Sequence, residues 1–522
     1  MNARPDAVVI GSGPNGLVAA ITLARAGRSV LVLEANPELG GSVATAQLTL
    51  PGFDHDVFSA VHPAAAASPV LAELPLARHG LKWIQPELAM AHPLPGGKAA
   101  VLSQNMGRTV ASLDALADGD GRRWQALVDP YLRNFDAVRE TMLAGFPPLG
   151  GPAKLALGLK YQGMLDFVRL LLMSAKTLAG ERFGGEGEAW LYGSALHGDA
   201  PLDGAGSAIS GMYLNLLGHT VGWPSPEGGA GRITDALVGH LRELGGETRT
   251  AARAQRVLTR RGRVTGIEIE GGERLETKIV IAATTPHGLL ALAGDALGDR
   301  YTRMATRFRY GTQTFKVDWA LDGQIPWENA DARVAGTVHV GGPAAEMRRS
   351  LAEVAGGRLP ENPFLLSGQQ TVADPSRAPA GKHTAWAYTH TPPGVDWSAE
   401  RESVADAVER QIERFAPGFR DLILARHVMA PPDLERRNAN LVGGDVGGGS
   451  YDLDQLIFRP LPSLTPYSTP VRGLYIGSAS TFPGGAVHGV PGHAAASAAL
   501  RGARVPPLPW PLARRRLTAG GA

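Results

Sequence analysis

The chain has 522 residues and a net charge of +2; 44% of its residues are hydrophobic and 19% are charged. This length exceeds what one hydrophobic core usually supports, so at least two domains are expected. The balanced charge predicts no nucleic-acid partner, because nucleic-acid-binding domains concentrate Lys and Arg on one face. The absence of cysteine excludes disulfides, thiolate nucleophiles and Cys-ligated metal sites.

Two features bear on location. An apolar run begins at Ala7, which leaves no room for a signal peptide, so a cytoplasmic location is expected. The longest uncharged stretch, Gly473 to Leu500, is interrupted by prolines and glycines. No transmembrane helix is therefore predicted.

The N-terminal residues predict a strand, a glycine turn, a helix and a second strand, in that order. Ala7 to Ile10 and Val30 to Leu33 are short apolar runs, and Asn15 to Ala26 has apolar residues at helical spacing. Between the first run and the helix lies the pattern Gly11-x-Gly13-x-x-Gly16. This context is typical of a dinucleotide-binding unit. The alternative is a glycine-rich turn that binds nothing.

Each residue of the pattern has its own predicted task. Gly11 supplies freedom in φ, Gly13 lets the backbone approach a pyrophosphate, and Gly16 lets the helix lie close to the strand. The helix N-terminus directs unpaired N–H groups at the phosphates. Glu34 is placed to accept hydrogen bonds from the hydroxyls of an adenosine ribose. The flanking residues complete the predicted contacts with the dinucleotide: Pro14, Asn15 and Ala35.

A second glycine pair, Gly40 and Gly41, lies six and seven residues after Glu34. With this pair, the opening resembles the FAD-binding motif of the flavin amine oxidase and phytoene desaturase superfamily. The resemblance implies a Rossmann-like FAD-binding domain. FAD is expected to be non-covalent, because the chain lacks the cysteine that links flavin in some amine oxidases. Many relatives have Arg after the pair, whereas this chain has Ser42, which is also predicted to contact the cofactor.

The resemblance continues through residues 50–63. It implies that Ser59, Ala60, Val61 and His62 lie near the flavin, and it makes His62 a candidate catalytic residue. The alternative interpretation is that His62 caps a turn before Pro63.

Helical patterns dominate residues 64–223, which are assigned to a substrate domain. Gly151 to Phe183 is a long apolar segment interrupted by basic residues: Lys154, Lys160, Arg169, Lys176 and Arg182. Two interpretations remain open. The segment forms helices that face the core of the substrate domain, or it forms an amphipathic surface that rests on a membrane.

After residue 228 the chain is predicted to return to the cofactor domain through an amphipathic helix. Two strands follow, Arg256 to Thr259 and Val264 to Ile269, joined by a hairpin turn. The resemblance implies that the backbone of Ala254 holds the adenine. Lys278 to Ala283 is predicted to be a buried strand.

The C-terminal run, Gly473 to Leu500, predicts a strand, a glycine turn and an alanine-rich helix. It resembles the signature of bacterial-type phytoene desaturases and of their relatives named as pyridine nucleotide-disulfide oxidoreductase-like proteins. The resemblance implies further cofactor contacts at Gly477, Ser478, Gly489, Val490 and His493, and it makes His488 a second catalytic candidate. Residues 506–522 are expected to form a mobile tail rich in proline and arginine.

The predicted fold class is α/β, with an FAD-binding domain assembled from residues 1–75, 228–297 and 465–505. An α+β substrate domain is predicted to comprise residues 76–227 and 298–464. The resemblance implies an FAD-dependent oxidoreductase that moves hydride from a lipophilic or unsaturated substrate to flavin, with oxygen or a quinone as electron acceptor.

Three alternatives remain open: a flavin amine oxidase, a flavin-dependent saturase or isomerase, and a non-catalytic FAD-bearing interaction protein. No metal is expected, because the histidines show no ligand spacing such as His-Glu-x-x-His.

Overall fold

The structure is a computed structural model that describes residues 4–502. The predicted tail, 506–522, lies outside the described residues, as do the last three residues of the predicted segment 465–505.

The strands, in chain order, are β1 (Ala7–Ile10), β2 (Val30–Leu33), β3 (Thr45–Ala46), β4 (His55–Asp56), β5 (Trp83–Ile84), β6 (Leu88–Leu94), β7 (Lys98–Leu102), β8 (Ser225–Pro226), β9 (Glu247–Arg249), β10 (Ala254–Arg260), β11 (Arg263–Ile269), β12 (Arg274–Glu276), β13 (Ile279–Ala282), β14 (Gln313–Leu321), β15 (Ala335–Val340), β16 (Leu365–Gly368), β17 (His383–Thr391), β18 (Ile423–Met429) and β19 (Leu474–Ile476).

The α-helices are α1 (Pro14–Arg25), α2 (Pro63–Ala66), α3 (Pro69–Ala72), α4 (Met106–Asp114), α5 (Asp120–Arg133), α6 (Phe135–Met142), α7 (Gly150–Leu172), α8 (Ala175–Arg182), α9 (Gly187–His197), α10 (Ser207–Thr220), α11 (Gly231–Glu243), α12 (Pro286–Ala293), α13 (Gly298–Ala305), α14 (Ala330–Val334), α15 (Ala344–Ala355), α16 (Trp397–Glu413), α17 (Pro431–Arg437), α18 (Leu453–Ile457) and α19 (Val490–Gly502). Short 3₁₀ helices lie at Leu76–His79, Gly294–Leu297, Gln370–Val372, Pro375–Arg377, Arg420–Leu422 and Val442–Gly444.

The predicted nucleotide-binding strands form one parallel sheet in the order β19-β13-β1-β2-β9. Ile10, at the end of β1, lies opposite Ala282 of β13 and Leu33 of β2. Because the strands are parallel, their carboxyl ends meet at one edge of the sheet. Open α/β sheets bind ligands at this edge, between strands whose connections leave in opposite directions.

Both faces of this sheet are buried. Val9 belongs to a core that includes residues of α1, α11 and α19, whereas Val8 belongs to a core shared with the antiparallel sheet β10-β11-β12 and with α12. A strand that is covered on both faces needs a continuous apolar run. The sequence Ala7–Ile10 meets this requirement, and it fixes the position of the glycine turn that follows.

A second, larger sheet has the order β18-β14-β17-β16-β15-β6-β7. Its pairs are antiparallel except for β15 with β6. One side carries a core with residues from α5, α9 and α10, and the other side packs against α16. The mixed α/β architecture predicted from the sequence is confirmed.

Several predicted elements are confirmed with small shifts at their ends, among them β1, β2, β11 and α1. The prediction that helices alone dominate residues 64–223 is wrong at β6 and β7. These two strands form a hairpin at one edge of the larger sheet. Every residue of β6 is buried, so its sequence lacks the alternation that separates a strand from a buried helix.

Helix α7 is interrupted at Lys160, whose backbone is not helical (φ 58°, ψ −171°). Neither part of α7, nor any other helix within residues 4–502, is long and apolar enough to cross a membrane.

Candidate functional site

The glycine turn lies at the carboxyl end of β1. Gly11 has a φ of +94°, which favours glycine. A Cβ on Gly16 would lie 1.9 Å from the Gly11 carbonyl oxygen, so glycine is required where α1 meets the turn. A Cβ on Gly13 would meet no atom of the described residues within 4 Å. The turn therefore leaves open space at Gly13, beside the N-terminus of α1, which suits the predicted pyrophosphate.

The first turn of α1 contains an unpartnered polar group. Pro14 occupies the first helical position, where its missing N–H is not needed. Asn15 is buried, and its side-chain oxygen has no hydrogen-bond partner within the described part of the chain. Because an unpaired buried polar atom is costly, Asn15 fits a position that a ligand or ligand-bound water completes.

The second glycine pair lies against the turn. Gly40 and Gly41 have φ values of +118° and +57°, and a Cβ on Gly41 would lie 3.0 Å from the Gly13 Cα. The Ser42 hydroxyl accepts a hydrogen bond of 2.8 Å from the side chain of Asn438, which lies 396 residues further along the chain. Sequence reasoning missed Asn438, because a lone Asn after a short helix carries no motif.

Glu34 is held at the end of β2 by a small hydrogen-bond network. Its carboxylate accepts hydrogen bonds from the Ser12 backbone N–H (2.9 Å), the Ser12 hydroxyl (2.7 Å) and the Asn36 backbone N–H (2.9 Å). Ala35, next to it, is half-buried. The Ala252 N–H donates to the Glu34 carbonyl oxygen at 2.8 Å. The start of β10, where Ala254 lies, is thus beside the carboxylate that is predicted to bind the ribose.

The C-terminal run reaches the same edge of the sheet. The Gly477 N–H donates to the Ala282 carbonyl oxygen at 3.0 Å, and Ser478 follows it as a buried residue. A Cβ on Gly489 would lie 2.7 Å from Val18, and a Cβ on Gly492 would lie 1.8 Å from the Asn15 carbonyl oxygen. The N-terminus of α19 therefore contacts the N-terminal half of α1.

Val490 and His493 have different surroundings within α19. Val490 is buried at the first position of the helix, and its N–H donates to His488 Nδ1 at 3.2 Å. His493 Nδ1 lies 3.2 Å from the Thr22 hydroxyl of α1. The His493 side chain thus links α19 to α1.

A cavity of about 340 Å³ lies next to these elements. Predicted residues that line it are Ser42, Ser59, Ala60, Val61, His62 and His488. The remaining wall is largely apolar and aromatic, and it includes Ile209, Leu214, Trp386, Tyr388 and Tyr451. Residues from both of the larger sheets and from their connecting segments therefore meet in one cavity.

His62 is buried, and its two ring nitrogens differ. Nε2 lies 3.1 Å from the Ser59 hydroxyl, which itself donates to the Ser42 carbonyl oxygen at 3.1 Å. Because the hydroxyl proton points to Ser42, Ser59 accepts from His62, which places the imidazole proton on Nε2. Nδ1 is then a free lone pair, with no partner among the described residues. Burial lowers the pKa of His62 to about 4, so the ring is neutral.

His488 is held more tightly. Its Nε2 donates to the Gly485 carbonyl oxygen at 3.0 Å, and its Nδ1 accepts from the Val490 N–H at 3.2 Å. Burial lowers the pKa of His488 to about 4. Both nitrogens are occupied by backbone groups, so His488 fixes the turn that leads into α19.

Lys316 is a cavity-lining residue that sequence reasoning missed. It is buried, forms an ion pair with Asp318, and donates a hydrogen bond of 3.1 Å to the Asp56 carbonyl oxygen. Burial raises the pKa of Asp318 to about 6, although the Lys316 ammonium opposes the shift. The sequence holds a signal for this pair, because two opposite charges stand two positions apart in the otherwise apolar strand β14 and therefore share a face.

Asp199 is a second cavity-lining residue that sequence reasoning missed. It has a φ of +52°, and burial, assisted by the charge of Asp445, raises the pKa of its carboxyl group to about 8. His390 Nε2 lies 3.3 Å from Asp199 Oδ1, but that oxygen makes no well-directed hydrogen bond in the described structure. Burial also lowers the pKa of His390 to about 4. Near neutral pH both groups are therefore uncharged.

A parallel sheet with a glycine turn, a ribose-binding carboxylate and an adjoining apolar cavity defines a dinucleotide-dependent oxidoreductase class. Comparison with known proteins agrees with this class. The family model described as an NAD(P)-binding Rossmann-like domain matches residues 9–74.

Curated relatives cover most or part of the chain. Pyridine nucleotide-disulfide oxidoreductase domain-containing protein 2 of Rattus norvegicus is 26% identical, over 95% of this chain and 93% of its own. A limonene dehydrogenase component from Castellaniella defragrans is 24% identical, over 92% of each. Phytoene desaturase (neurosporene-forming) of Rhodobacter capsulatus is 29% identical, over 58% of each.

Solved structures share the fold. An oxidoreductase from Methanosarcina mazei matches with a TM-score of 0.65 and 18% identity, over 95% of this chain and 99% of that one. Cyclohexylamine oxidase from Brevibacterium oxydans matches with a TM-score of 0.57 and 17% identity, over 96% and 100%. The relatives and structural neighbours of the chain are FAD-dependent oxidoreductases, which confirms the predicted resemblance and cofactor class.

Proposed function

We propose that this protein binds FAD non-covalently and oxidises a compact, lipophilic, unsaturated molecule at a carbon–hydrogen bond. The observation that carries the proposal is the largely apolar cavity of about 340 Å³, which is continuous with the predicted cofactor residues Ser42, Ser59 and His488. This volume is near the lower end of the range for ligand pockets, about 300–1,000 Å³. FAD, when bound, supplies the hydride acceptor.

The cofactor contacts that we propose are those predicted from the sequence. The open space at Gly13 and the unpartnered oxygen of Asn15 fit a dinucleotide at the N-terminus of α1. The carboxylate of Glu34 stands at the end of the neighbouring strand. The contacts at Ala254, Gly477 and Val490 are part of the same proposal.

We propose His62 as the catalytic base. When a C–H bond gives up hydride, the carbon becomes cationic, and loss of a proton from the adjacent carbon then forms the double bond. Such a proton is strongly acidic, so the Nδ1 lone pair of His62 suffices to accept it, even with a pKa of about 4. His488, whose nitrogens are both bonded to backbone, serves as a positioning residue for the turn before α19.

A flavin amine oxidase is the second candidate function. Trp386 and Tyr388 line the cavity with nearly parallel rings, at an interplanar angle of 9°, and paired aromatic rings suit an amine. Lys316 opposes this function, because an ammonium group in the wall repels a cationic substrate.

We propose that the substrate enters from a lipid surface. Several large apolar side chains of α7 are exposed, including Leu157 (83%) and Tyr161 (79%). After the break at Lys160, Tyr161, Leu165, Val168 and Leu172 recur at helical spacing on one face. Such a face supports contact with a bilayer surface without spanning it.

The end of α7 lies beside the cavity. The N–H of Gly206, which lines the cavity, donates to the Met173 carbonyl oxygen at 3.0 Å, immediately after α7. Leu456 of α18 lines the cavity as well, and its neighbours Ile457 and Phe458 are exposed. The apolar surface and the cavity thus share a wall.

Product analysis tests the oxidation. Aerobic incubation of the purified holoprotein with a panel of cyclic and acyclic isoprenoid hydrocarbons should yield a product that has lost two hydrogens. Oxygen or an added quinone is the proposed electron acceptor, and quinone-dependent turnover under nitrogen separates the two. A panel in which only amines are converted would support the second candidate function instead.

A further inference from the structure

Three side chains meet on the surface away from the cavity. His79 ends the 3₁₀ helix Leu76–His79, and His240 and Glu243 lie one turn apart on α11. Glu243 Oε2 lies 3.1 Å from His79 Nε2 and 3.1 Å from His240 Nδ1. None of the three lines the cavity described above.

Packing fixes the two imidazoles. A Cβ on Gly239 would lie 3.0 Å from His79 Nδ1, so glycine at this position makes room for the ring. The ring centroids of His79 and His240 are 5.5 Å apart. Leu76 and Leu241, next to the cluster, are buried in the same core. The backbone segments that carry the histidines are therefore tied together beneath the cluster.

The charges in the cluster suit a cation. Hydrogen bonds from His240 and then His79 lower the pKa of Glu243, which is therefore ionised at neutral pH. The other oxygen of Glu243, Oε1, lies 3.3 Å from Arg78, which leaves Oε2 directed at the histidines. The three potential ligand atoms lie within 4.8 Å of one another.

We propose that His79, His240 and Glu243 bind a divalent transition-metal ion of the Zn²⁺ class. Zinc bonds to imidazole nitrogen and carboxylate oxygen are about 2.0–2.2 Å long, which makes the edges of a tetrahedral site about 3.3 Å. Two edges of the cluster already measure 3.1 Å. Binding replaces the protons that the imidazoles share with Glu243 by one metal ion, and the partly exposed carboxylate leaves the fourth position to water.

The site joins residues that are distant in the sequence. Sequence reasoning expected no metal, because it searched for ligands within one helical motif. Here the helix supplies only His-x-x-Glu, and the third ligand comes from a segment 164 residues away from Glu243. The ion would clip the 3₁₀ helix Leu76–His79 to α11, and its role is therefore structural stabilisation rather than flavin chemistry.

Metal titration of the full-length holoprotein, without a histidine tag and after treatment with chelator, tests this site. Co²⁺ should bind with one-to-one stoichiometry and give the intense visible absorption of four-coordinate cobalt, and Zn²⁺ should displace it. Saturating Zn²⁺ should raise the melting temperature by several degrees, because an ion that binds only the folded state stabilises it.

Glu243→Gln and His240→Gln should each weaken binding by about tenfold or more, since each removes a ligand. Asp235→Asn, an exposed carboxylate on the same helix, is the matched control and should bind like wild type. Because the Glu243 side chain is itself exposed, Glu243→Gln should fold normally. Equal affinity in wild type and Glu243→Gln, or only the weak absorption of six-coordinate cobalt, would overturn the proposal.

Discussion

The dinucleotide side and the substrate side of the cavity differ in what forms their walls. On the dinucleotide side, bare backbone at Gly13 and Gly41 shapes the surface, and their spacing in the chain fixes their geometry. On the substrate side, the wall consists of side chains such as Asp199, Lys316 and Trp386, which come from three separate elements. The first kind of wall tolerates little change in sequence, whereas the second kind changes its chemistry with each substitution.

The largest effect is expected from Gly13→Val. Gly13 has φ −61° and ψ 169°, which any residue adopts, and an added Cβ meets no protein atom nearby. The variant should therefore fold but lose FAD almost completely, because the side chain occupies the space of the pyrophosphate. Flavin content per folded protein, measured after acid release, checks this.

Gly180→Val is the control for Gly13→Val. Gly180 is an exposed position in α8 with open space around it, so this variant should keep its flavin. A Gly13→Val protein that stays fully yellow would show that the turn does not bind the cofactor.

His62→Gln tests the substrate side of the cavity. Loss of the free Nδ1 lone pair should slow anaerobic flavin reduction by substrate by about 10²-fold or more, while the flavin content stays near that of wild type. His488→Gln should instead reduce flavin retention, because it disturbs the turn before α19, and it should leave the reduction step of the remaining holoenzyme largely intact. Unchanged reduction rates in both variants would exclude a histidine from the chemical step.

The pH dependence of stability tests the environment of Asp199. Its pKa is about 8 in the folded protein and ordinarily near 3.8, so between these values the folded state holds a proton that the unfolded state has released. Stability should therefore fall as pH rises toward about 8 and then level off. Asp199→Asn removes this dependence, so its melting temperature should gain on wild type as pH increases over this range. A constant difference between the two proteins would contradict the raised pKa, and Asp235→Asn serves as the exposed control.

The smallest effect is expected at the lipid surface. Tyr161→Glu with Leu165→Glu should reduce co-flotation with phosphatidylcholine vesicles several-fold, because burial of apolar area drives such contact. Anionic lipid should add little, since Lys154, Arg169 and Lys176 are paired with carboxylates. Leu424→Glu, at an exposed leucine elsewhere, is the control. Equal flotation of all variants would refute the contact.

The difference between the two walls also explains how far the sequence predicts the structure. The elements β1, α1 and β2 are predictable, because their apolar runs and glycines act locally. The hairpin β6-β7 is not, because a fully buried strand shows no alternation. The contact of Asn438 with Ser42 and the position of Asp199 at the cavity depend on long-range packing, which no local pattern encodes.

Anaerobic reduction of the bound flavin tests the proposed function most directly. The protein should be mixed, without oxygen, with an isoprenoid alkene such as limonene or phytoene, with a primary amine, and with NADH, while the absorbance of oxidised flavin is followed. A lipophilic alkene should bleach the flavin in a saturable manner, and NADH should do so poorly, because residues 4–502 contain no second strand-glycine-helix unit that would bind it. Fast, saturable bleaching by NADH or by the amine, with none by any alkene, would contradict the proposed function.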